Sequence, residues 1–192
     1  MTGRAERGSA VKIDGTRIPG CHVVRYAVHE DARGRLAKPL SAATFGAAGL
    51  ASHWAECFWT VSHRGTVRGF HAQLPPSEHD KLVWVVSGAS HSVALDLRAG
   101  SPAYGETAAV ELDARLGKAL YLPVGVAHGF QAVEDNTVLV YLVTSPHDSA
   151  RDSGVRWDST ATPWPLPVTL LSERDRALPA LESFVTPFEF RT

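Results

Sequence analysis

The stretch KLVWVVSGASHSVALDL, residues 81–97, contains two short apolar segments, 81–86 and 91–97, separated by the small residues SGAS. Both segments are rich in valine and other residues that favour β-structure. Short segments of this kind, bounded by turn-forming residues, are typical of β-strands. The stretch therefore predicts an all-β protein.

The same pattern recurs on both sides of this stretch. Gly, Pro, Asn and Asp lie between the apolar segments, in the separators RAGSPAYGE, PVGVAHG and VEDN. The series contains no repeat and no low-complexity linker, which indicates a β-sandwich or barrel. The predicted strands are 22–28, 56–61, 81–86, 91–97, 107–112, 118–122 and 137–143.

Helical patterns are scarce. They are confined to residues 41–51 and 172–178, the second with Ser172 as the expected N-cap. From about residue 157 the chain reads WDSTATPWPLP, which is too rich in proline for a central strand. We expect this tail to pack around the sandwich and residues 1–192 to form a single domain.

Composition argues against several classes of partner. Nineteen Lys and Arg balance twenty Asp and Glu, so no broad positive surface for nucleic acid or an anionic membrane is expected. The opening residues MTGRAERGSA lack the apolar centre of a signal peptide, and no apolar run approaches the length of a membrane span. These features predict a cytoplasmic protein, in which Cys21 and Cys57 are reduced thiols.

Polar residues interrupt the predicted strands at a few positions. Alternation in RGFHAQ, residues 68–73, places Arg68 and His71 on opposite faces and points His71 towards a lumen. Lys81 begins the next strand. Tyr141 lies in the most apolar strand, where its hydroxyl needs a partner. A polar interior is the expected location of a functional site.

Each of these residues also has a structural interpretation. A single His in a strand is usually structural, Tyr141 is a plausible core aromatic, and a charge such as Lys81 protects strand edges from aggregation. A metal site is the other alternative. However, Gln73 occupies the position where an HxH pair would need its second imidazole, and His79 lies in a proline-rich loop. We therefore predict no metal.

Several longer segments occur in a characteristic order and spacing. They are DARG (31–34), TVRGFHAQLPP (66–76), KLVWVVSG (81–88), LDLRAGSPAYG (95–105), YLPVGVAHGF (121–130), VLVYL (138–142) and LSERD (171–175). Over roughly residues 24–183 this arrangement resembles the nucleotide-sugar 3,5-epimerases, the RmlC-like enzymes that act on dTDP-4-keto-6-deoxyglucose. The resemblance implies a cupin-type double-stranded jelly roll, no cofactor, and a homodimer in which an N-terminal strand of one subunit joins the sheet of the other.

The resemblance also implies catalytic roles. His71 matches the general base, Asp175 the carboxylate that orients it, and Tyr141 the acid on the opposite face of the sugar. Lys81 matches the residue that stabilises negative charge on the C4 oxygen. Such a site removes a proton next to a ketone and returns one from the other side.

Substrate contacts follow from the same resemblance, with several departures from the family pattern. Lys38 stands where the family has a glutamate, residues 56–60 replace a Q-x-N-x-S string, Ser92 replaces an aspartate, and His147 replaces a frequent tyrosine. We assign substrate binding to Arg33, Lys38, Glu56, Phe58, Arg68, Gln73, His128 and Arg174.

These assignments predict epimerisation at C3, C5 or both in a 4-keto-6-deoxyhexose nucleotide, with thymidine diphosphate as the default carrier. Two alternatives remain: a 3,4-ketoisomerase-type cupin and a noncatalytic sugar-binding cupin. The presence of Tyr141 argues against the first. A His71→Ala variant addresses the second, because it stops proton exchange only if the protein is an enzyme.

Overall fold

Antiparallel strands form most of the regular structure in the computed structural model, which describes residues 11–191. The helices are α1 (Ala42–Ala47), α2 (Glu173–Ala177) and a 3-10 turn at Leu181–Ser183. The strands are β1 (Lys12–Gly15), β2 (His22–Arg25), β3 (Val28–Asp31), β4 (Gly34–Ala37), β5 (Glu56–Ser62), β6 (Val67–Gln73), β7 (Lys81–Ser87), β8 (Ala89–Asp96), β9 (Thr107–Asp113), β10 (Lys118–Leu122), β11 (Val126–Ala132), β12 (Thr137–Val143) and β13 (Asp152–Gly154).

Two sheets form the body of the fold. The first has the order β1-β2-β10-β7-β12-β5 and the second the order β13-β6-β11-β8-β9, while β3 and β4 form a separate hairpin. Apolar side chains from both sheets make one core, including Leu120 and Leu139 from the first and Leu112 and Phe130 from the second. The predicted antiparallel sandwich with few short helices is confirmed.

Most predicted elements are present, with two corrections. The strand predicted at 22–28 ends at Arg25, and a hairpin begins at Val28. PVGVAHG is only partly a turn, because a completely buried strand, β11, starts at Val126 directly after Gly125. Glycine is required within this strand, since a Cβ at Gly129 would lie 2.9 Å from the ring of Phe70.

A bulge in β6 overturns the predicted alternation of its side chains. His71 pairs with His128 and Arg68 with Phe130, so three steps along β6 oppose two steps along β11. Gly69 supplies the extra residue, with a φ of 114° that other residue types rarely adopt. The bulge shifts the phase of the strand, and Arg68 and His71 therefore face the same cavity.

The C-terminal segment runs along the second sheet. The buried Gln131 side chain donates to the carbonyl of Leu166 and accepts from its amide, both at 2.9 Å. The amide of Thr169 bonds the carbonyl of Gly65 at 3.1 Å. These contacts lead the chain to α2, which packs beside β6.

No helix within residues 11–191 is long and apolar enough to cross a membrane. The prediction that the chain lacks a signal peptide rests on residues 1–10, which lie outside the described residues, as does residue 192. The single-domain prediction, which includes these residues, stays a prediction.

Candidate active site

A cavity of about 470 Å³ opens between the two sheets. Strands β5, β7 and β12 form one wall, and β6 and β11 form the other. Of the predicted site residues, it is lined by Glu56, Phe58, Arg68, His71, Gln73, Lys81, His128, Tyr141 and Arg174. Asp175 lies behind His71, whereas Arg33 and Lys38 lie outside the cavity.

His71 and Asp175 form a hydrogen-bonded pair. The bond joins Nε2 of His71 to Oδ1 of Asp175, whose side chain is almost fully buried. Ser172 caps α2 through the backbone amide of Asp175 at 3.0 Å, as the sequence predicted, and so fixes the carboxylate. Because a carboxylate only accepts hydrogen bonds, Nε2 carries the ring proton and Nδ1 is left as the basic nitrogen.

The ionisation of Asp175 supports this arrangement. Burial acts to raise the pKa of the Asp175 carboxyl, but the His71 imidazole and the Ser172 hydroxyl outweigh burial and hold that pKa below its ordinary value. The group is therefore anionic at neutral pH and stabilises the imidazolium that forms when His71 accepts a proton.

Tyr141 faces His71 from the other sheet. Its ring stacks on Phe58, with centroids 4.7 Å apart and planes inclined by 6°, and meets the His128 ring edge-on at 5.9 Å. Burial raises the pKa of the Tyr141 phenol above its ordinary value. The phenol therefore keeps its proton at neutral pH and is able to donate it.

Lys81 and His128 complete the polar interior. Burial lowers the pKa of Lys81 to about 8, an effect that the nearby charge of Asp152 partly opposes. His128 is buried, and burial together with the charge of Lys81 lowers its pKa well below the usual value, so the ring is neutral. Its Nε2 has no hydrogen-bond partner among residues 11–191, which leaves a polar atom for a ligand to satisfy.

Two arginines give the cavity a cationic side. Arg68 donates to the Ser62 hydroxyl at 3.1 Å and to the Val61 carbonyl at 3.3 Å. Arg174 forms an ion pair with Asp152 at 2.8 Å. Guanidinium groups held in this way are well suited to phosphate oxygens.

A hydrogen-bonded group lies at the rim. The Gln73 carbonyl accepts from the Asp148 amide at 2.9 Å, and the Gln73 amide lies 3.4 Å from Nδ1 of His147. The backbone amide of His147 in turn donates to Glu56 at 3.1 Å. Glu56 therefore adds a second carboxylate to a cavity that already contains Asp152.

Arg33 and Lys38 belong to a different surface. Arg33 is on the β3–β4 hairpin, ion-paired with Asp31 at 2.6 Å, and its side chain is 90% exposed. Lys38 directly follows β4 and is also exposed. Neither residue lines the cavity of its own chain.

Sequence reasoning missed the polar cavity residues Thr60, His79 and Asp152 as site candidates. It also left out the apolar residues Ala72, Phe130 and Val143, and it named His147 only as a departure from the family pattern. Thr60 had a usable signal, since alternation along β5 places it on the same face as Glu56 and Phe58. His79 was set aside with its loop, yet it lines the cavity, and burial lowers its pKa to about 3. Asp152 had no signal, because its strand is only three residues long.

A buried His–Asp pair and a protonated tyrosine on opposite walls of one cavity are what an isomerase that moves protons requires. The family model described as dTDP-4-dehydrorhamnose 3,5-epimerase matches residues 15–183. The chain therefore belongs to the dTDP-4-dehydrorhamnose 3,5-epimerase family, as the sequence motifs predicted.

Relatives and solved structures agree with this assignment. A dTDP-4-dehydrorhamnose 3,5-epimerase of Sinorhizobium fredii is 42% identical over 129 residues, 66% of each chain, so the match spans just under two thirds of that relative. The enzyme of that name from Mycobacterium tuberculosis is 37% identical over 86% of this chain and 85% of its own. ChmJ, a 3'-monoepimerase from Streptomyces bikiniensis solved with dTDP-quinovose, has a TM-score of 0.82 and 33% identity, covering 88% of this chain and 87% of its own. The predicted family, isomerase class and cupin-type fold are confirmed.

Proposed function

We propose that this protein inverts C3, C5 or both in a dTDP-4-keto-6-deoxyhexose, through an enolate and without a cofactor. The observation that carries the proposal is the placement of His71 and Tyr141 on facing sheets across one cavity. Inversion needs proton removal from one face of a carbon and proton return to the other, and two groups on opposite walls meet this requirement.

The proposed reaction begins at Nδ1 of His71. This nitrogen takes the proton from a carbon next to the C4 ketone, and the electron pair of the broken C–H bond forms the enolate. Asp175 stabilises the resulting imidazolium, while the Lys81 ammonium stabilises the charge on the C4 oxygen. The Tyr141 hydroxyl then protonates the same carbon from the opposite face. Solvent finally takes the proton from His71 and restores the one on Tyr141.

The binding roles rest on the charges that line the cavity. Arg68 and Arg174 contact the diphosphate, and the unpartnered Nε2 of His128 contacts a sugar oxygen. Phe58, Gln73 and Glu56 form the wall and rim. A nucleotide sugar is negatively charged and does not cross a lipid bilayer unaided, which supports a cytoplasmic location for the enzyme.

The assembly we propose is a homodimer. Strand β5 is an edge of the first sheet, and its outward residues Trp59 and Val61 are exposed. In such a dimer, Arg33 and Lys38 are available to the substrate of the partner subunit. Sedimentation equilibrium should give twice the 20.7 kDa mass of the chain, and a monomer with full activity would refute this assembly.

The experiment that tests the function is incubation with dTDP-4-keto-6-deoxyglucose in D2O. We expect deuterium at C3, C5 or both by NMR and mass spectrometry, and none with His71→Ala. The labelled positions separate single from double inversion. Binding of the nucleotide sugar without label in the wild type would favour a sugar-binding cupin, and label with migration of the ketone would favour a ketoisomerase.

A further inference from the structure

The ring of Phe58 lies flat on the ring of Tyr141. The two residues are directly opposite in the pairing of β5 with β12, and their ring planes differ by only 6°. Building on the function proposed above, we infer that Phe58 is a positioning residue for proton return. By holding the Tyr141 ring, it determines what share of the enolate is protonated on the inverting face.

Packing fixes the orientation of Tyr141. The Thr60 side chain on β5 is the polar group next to its hydroxyl, and two aromatic rings contact its ring. Phe58 covers one face of the ring, and the neutral His128 ring meets it edge-on. Loss of the Phe58 ring removes the stacked contact, the nearer of the two.

Phe58 has no group that transfers a proton or binds charge. An effect of this residue on proton transfer itself therefore acts through Tyr141, while an effect on substrate binding would appear in KM. The base is held independently, because Asp175 and Ser172 position His71 from the other sheet. A change at Phe58 should consequently slow the acid step more than the base step.

The residue type at position 58 departs from the family pattern. The Q-x-N-x-S string of the resembling enzymes has asparagine there, a side chain that offers hydrogen bonds. In this chain an aromatic face replaces it, and the stack on Tyr141 follows from that replacement.

The test measures two rates on the same carbon in D2O with dTDP-4-keto-6-deoxyglucose. Deuterium exchange into the starting epimer reports proton removal by His71, and formation of the inverted epimer reports donation by Tyr141. In Phe58→Leu we expect inversion to fall by about tenfold or more, since misplacement by about 1 Å costs up to roughly 100-fold. Because Phe58 also lines the substrate cavity, both rates are taken at saturating substrate, and exchange should fall by clearly less than inversion, so that the ratio of inversion to exchange drops.

Two further variants act as controls. Phe58→Tyr keeps the stacked ring and should restore inversion. Tyr104→Leu removes an aromatic of similar exposure, 43% against 41% for Phe58, from a loop outside the cavity, and should change neither rate. Equal losses of exchange and inversion in Phe58→Leu, or no loss of either, would overturn the inference.

A second measurement does not depend on turnover. Ultraviolet titration of the phenols, with Tyr141→Phe subtracted to isolate Tyr141, should show ionisation at lower pH in Phe58→Leu because water reaches the ring. An unchanged titration would overturn the role of the stack. If the wild type neither exchanges nor inverts, the proposed function fails, and the titration still decides whether Phe58 controls Tyr141.

Discussion

Two buried polar clusters in this protein differ in how completely their hydrogen bonds are satisfied. In the first, Arg98 donates to both oxygens of Asp96 and to the Pro19 carbonyl, and Ser101 donates to Asp96 at 2.6 Å. This cluster is closed, because its side chains are matched to one another. It belongs to the scaffold.

The cavity is the second cluster, and it is open. His128 has an unpartnered Nε2, the basic nitrogen of His71 is free to accept a proton, and Lys81 forms no ion pair with any residue between 11 and 191. Buried polar groups without partners are costly, so a protein retains them where a ligand supplies the missing contacts. We therefore expect substitutions in the closed cluster to lower stability and substitutions in the cavity to lower activity.

The largest effect is expected from Asp175→Asn. This variant tests whether Asp175 decides which nitrogen of His71 carries the ring proton. An asparagine amide that donates to Nε2 of His71 moves the ring proton to Nδ1 and removes the base. Activity should fall by roughly 10⁴-fold, as for the comparable change in a serine protease triad. Steady-state rates and a melting curve measure this. A loss below about tenfold would show that Asp175 does not set the tautomer.

Arg98→Met tests the closed cluster. Removing one partner of a buried ion pair should cost about 3–5 kcal/mol of unfolding free energy and lower the melting temperature by roughly 10 °C. The specific activity of the folded protein at low temperature should remain unchanged, because Arg98 does not line the catalytic cavity.

Arg115→Met is the matched control for this change. Arg115 bonds Asp113 through the same Asp-x-Arg arrangement, but its side chain is 59% exposed. The expected cost is below about 1 kcal/mol. Equal losses in the two variants would show that burial of the Asp96 pair contributes nothing.

The pH dependence of the closed cluster has a definite sign. Burial acts to raise the pKa of Asp96, but bonds from Arg98 and Ser101 hold it below its ordinary value of about 3.9. Its contribution to stability is therefore present above that value and is lost as pH falls through the lower pKa of the folded state. The difference in stability between wild type and Arg98→Met should narrow in the same acid range.

Lys81→Met removes a buried charge that has no ion-pair partner in the described part of the cavity, and a smaller loss of activity is expected than for Asp175→Asn. Activity at neutral pH should fall by about 100-fold. Wild-type activity should decline as pH rises through about 8, where Lys81 loses its proton, and the variant should lack that decline.

Lys81→Met should increase the stability of the protein although it lowers activity. Because folding lowers the pKa of Lys81 from 10.5 to about 8, the charged form destabilises the folded state. Lys81→Met should therefore melt at a higher temperature below pH 8, with a gain that disappears towards pH 10.5. Calorimetry between these values checks it, and a lower melting temperature at neutral pH would contradict it.

Local sequence patterns predicted the layers of this fold well, because strands such as β7 and β12 are long and uninterrupted. They failed at β11, where Pro123 and Gly125 resemble a turn although a buried strand follows. They also failed at Gly69, because a bulge depends on pairing with the neighbouring strand. The bulge turns the Arg68 side chain towards the same cavity as His71. Period-two patterns contain no information about pairing.

The site was accessible from motifs rather than from local periodicity. Asp175 lies 104 residues after His71, and no spacing rule connects them. Only the resemblance to a family identified the pair. Asp152 remained hidden because its short strand becomes part of the second sheet only through pairing with β6.

The position of Asp175 on α2, 104 residues after His71, also bears on the order in which the site is completed. His71, Lys81 and Tyr141 leave the ribosome before α2 does. Until the last segment docks along the second sheet, the imidazole of His71 lacks the carboxylate that orients it. A folding chain whose α2 has not yet docked should therefore be no more active than Asp175→Asn.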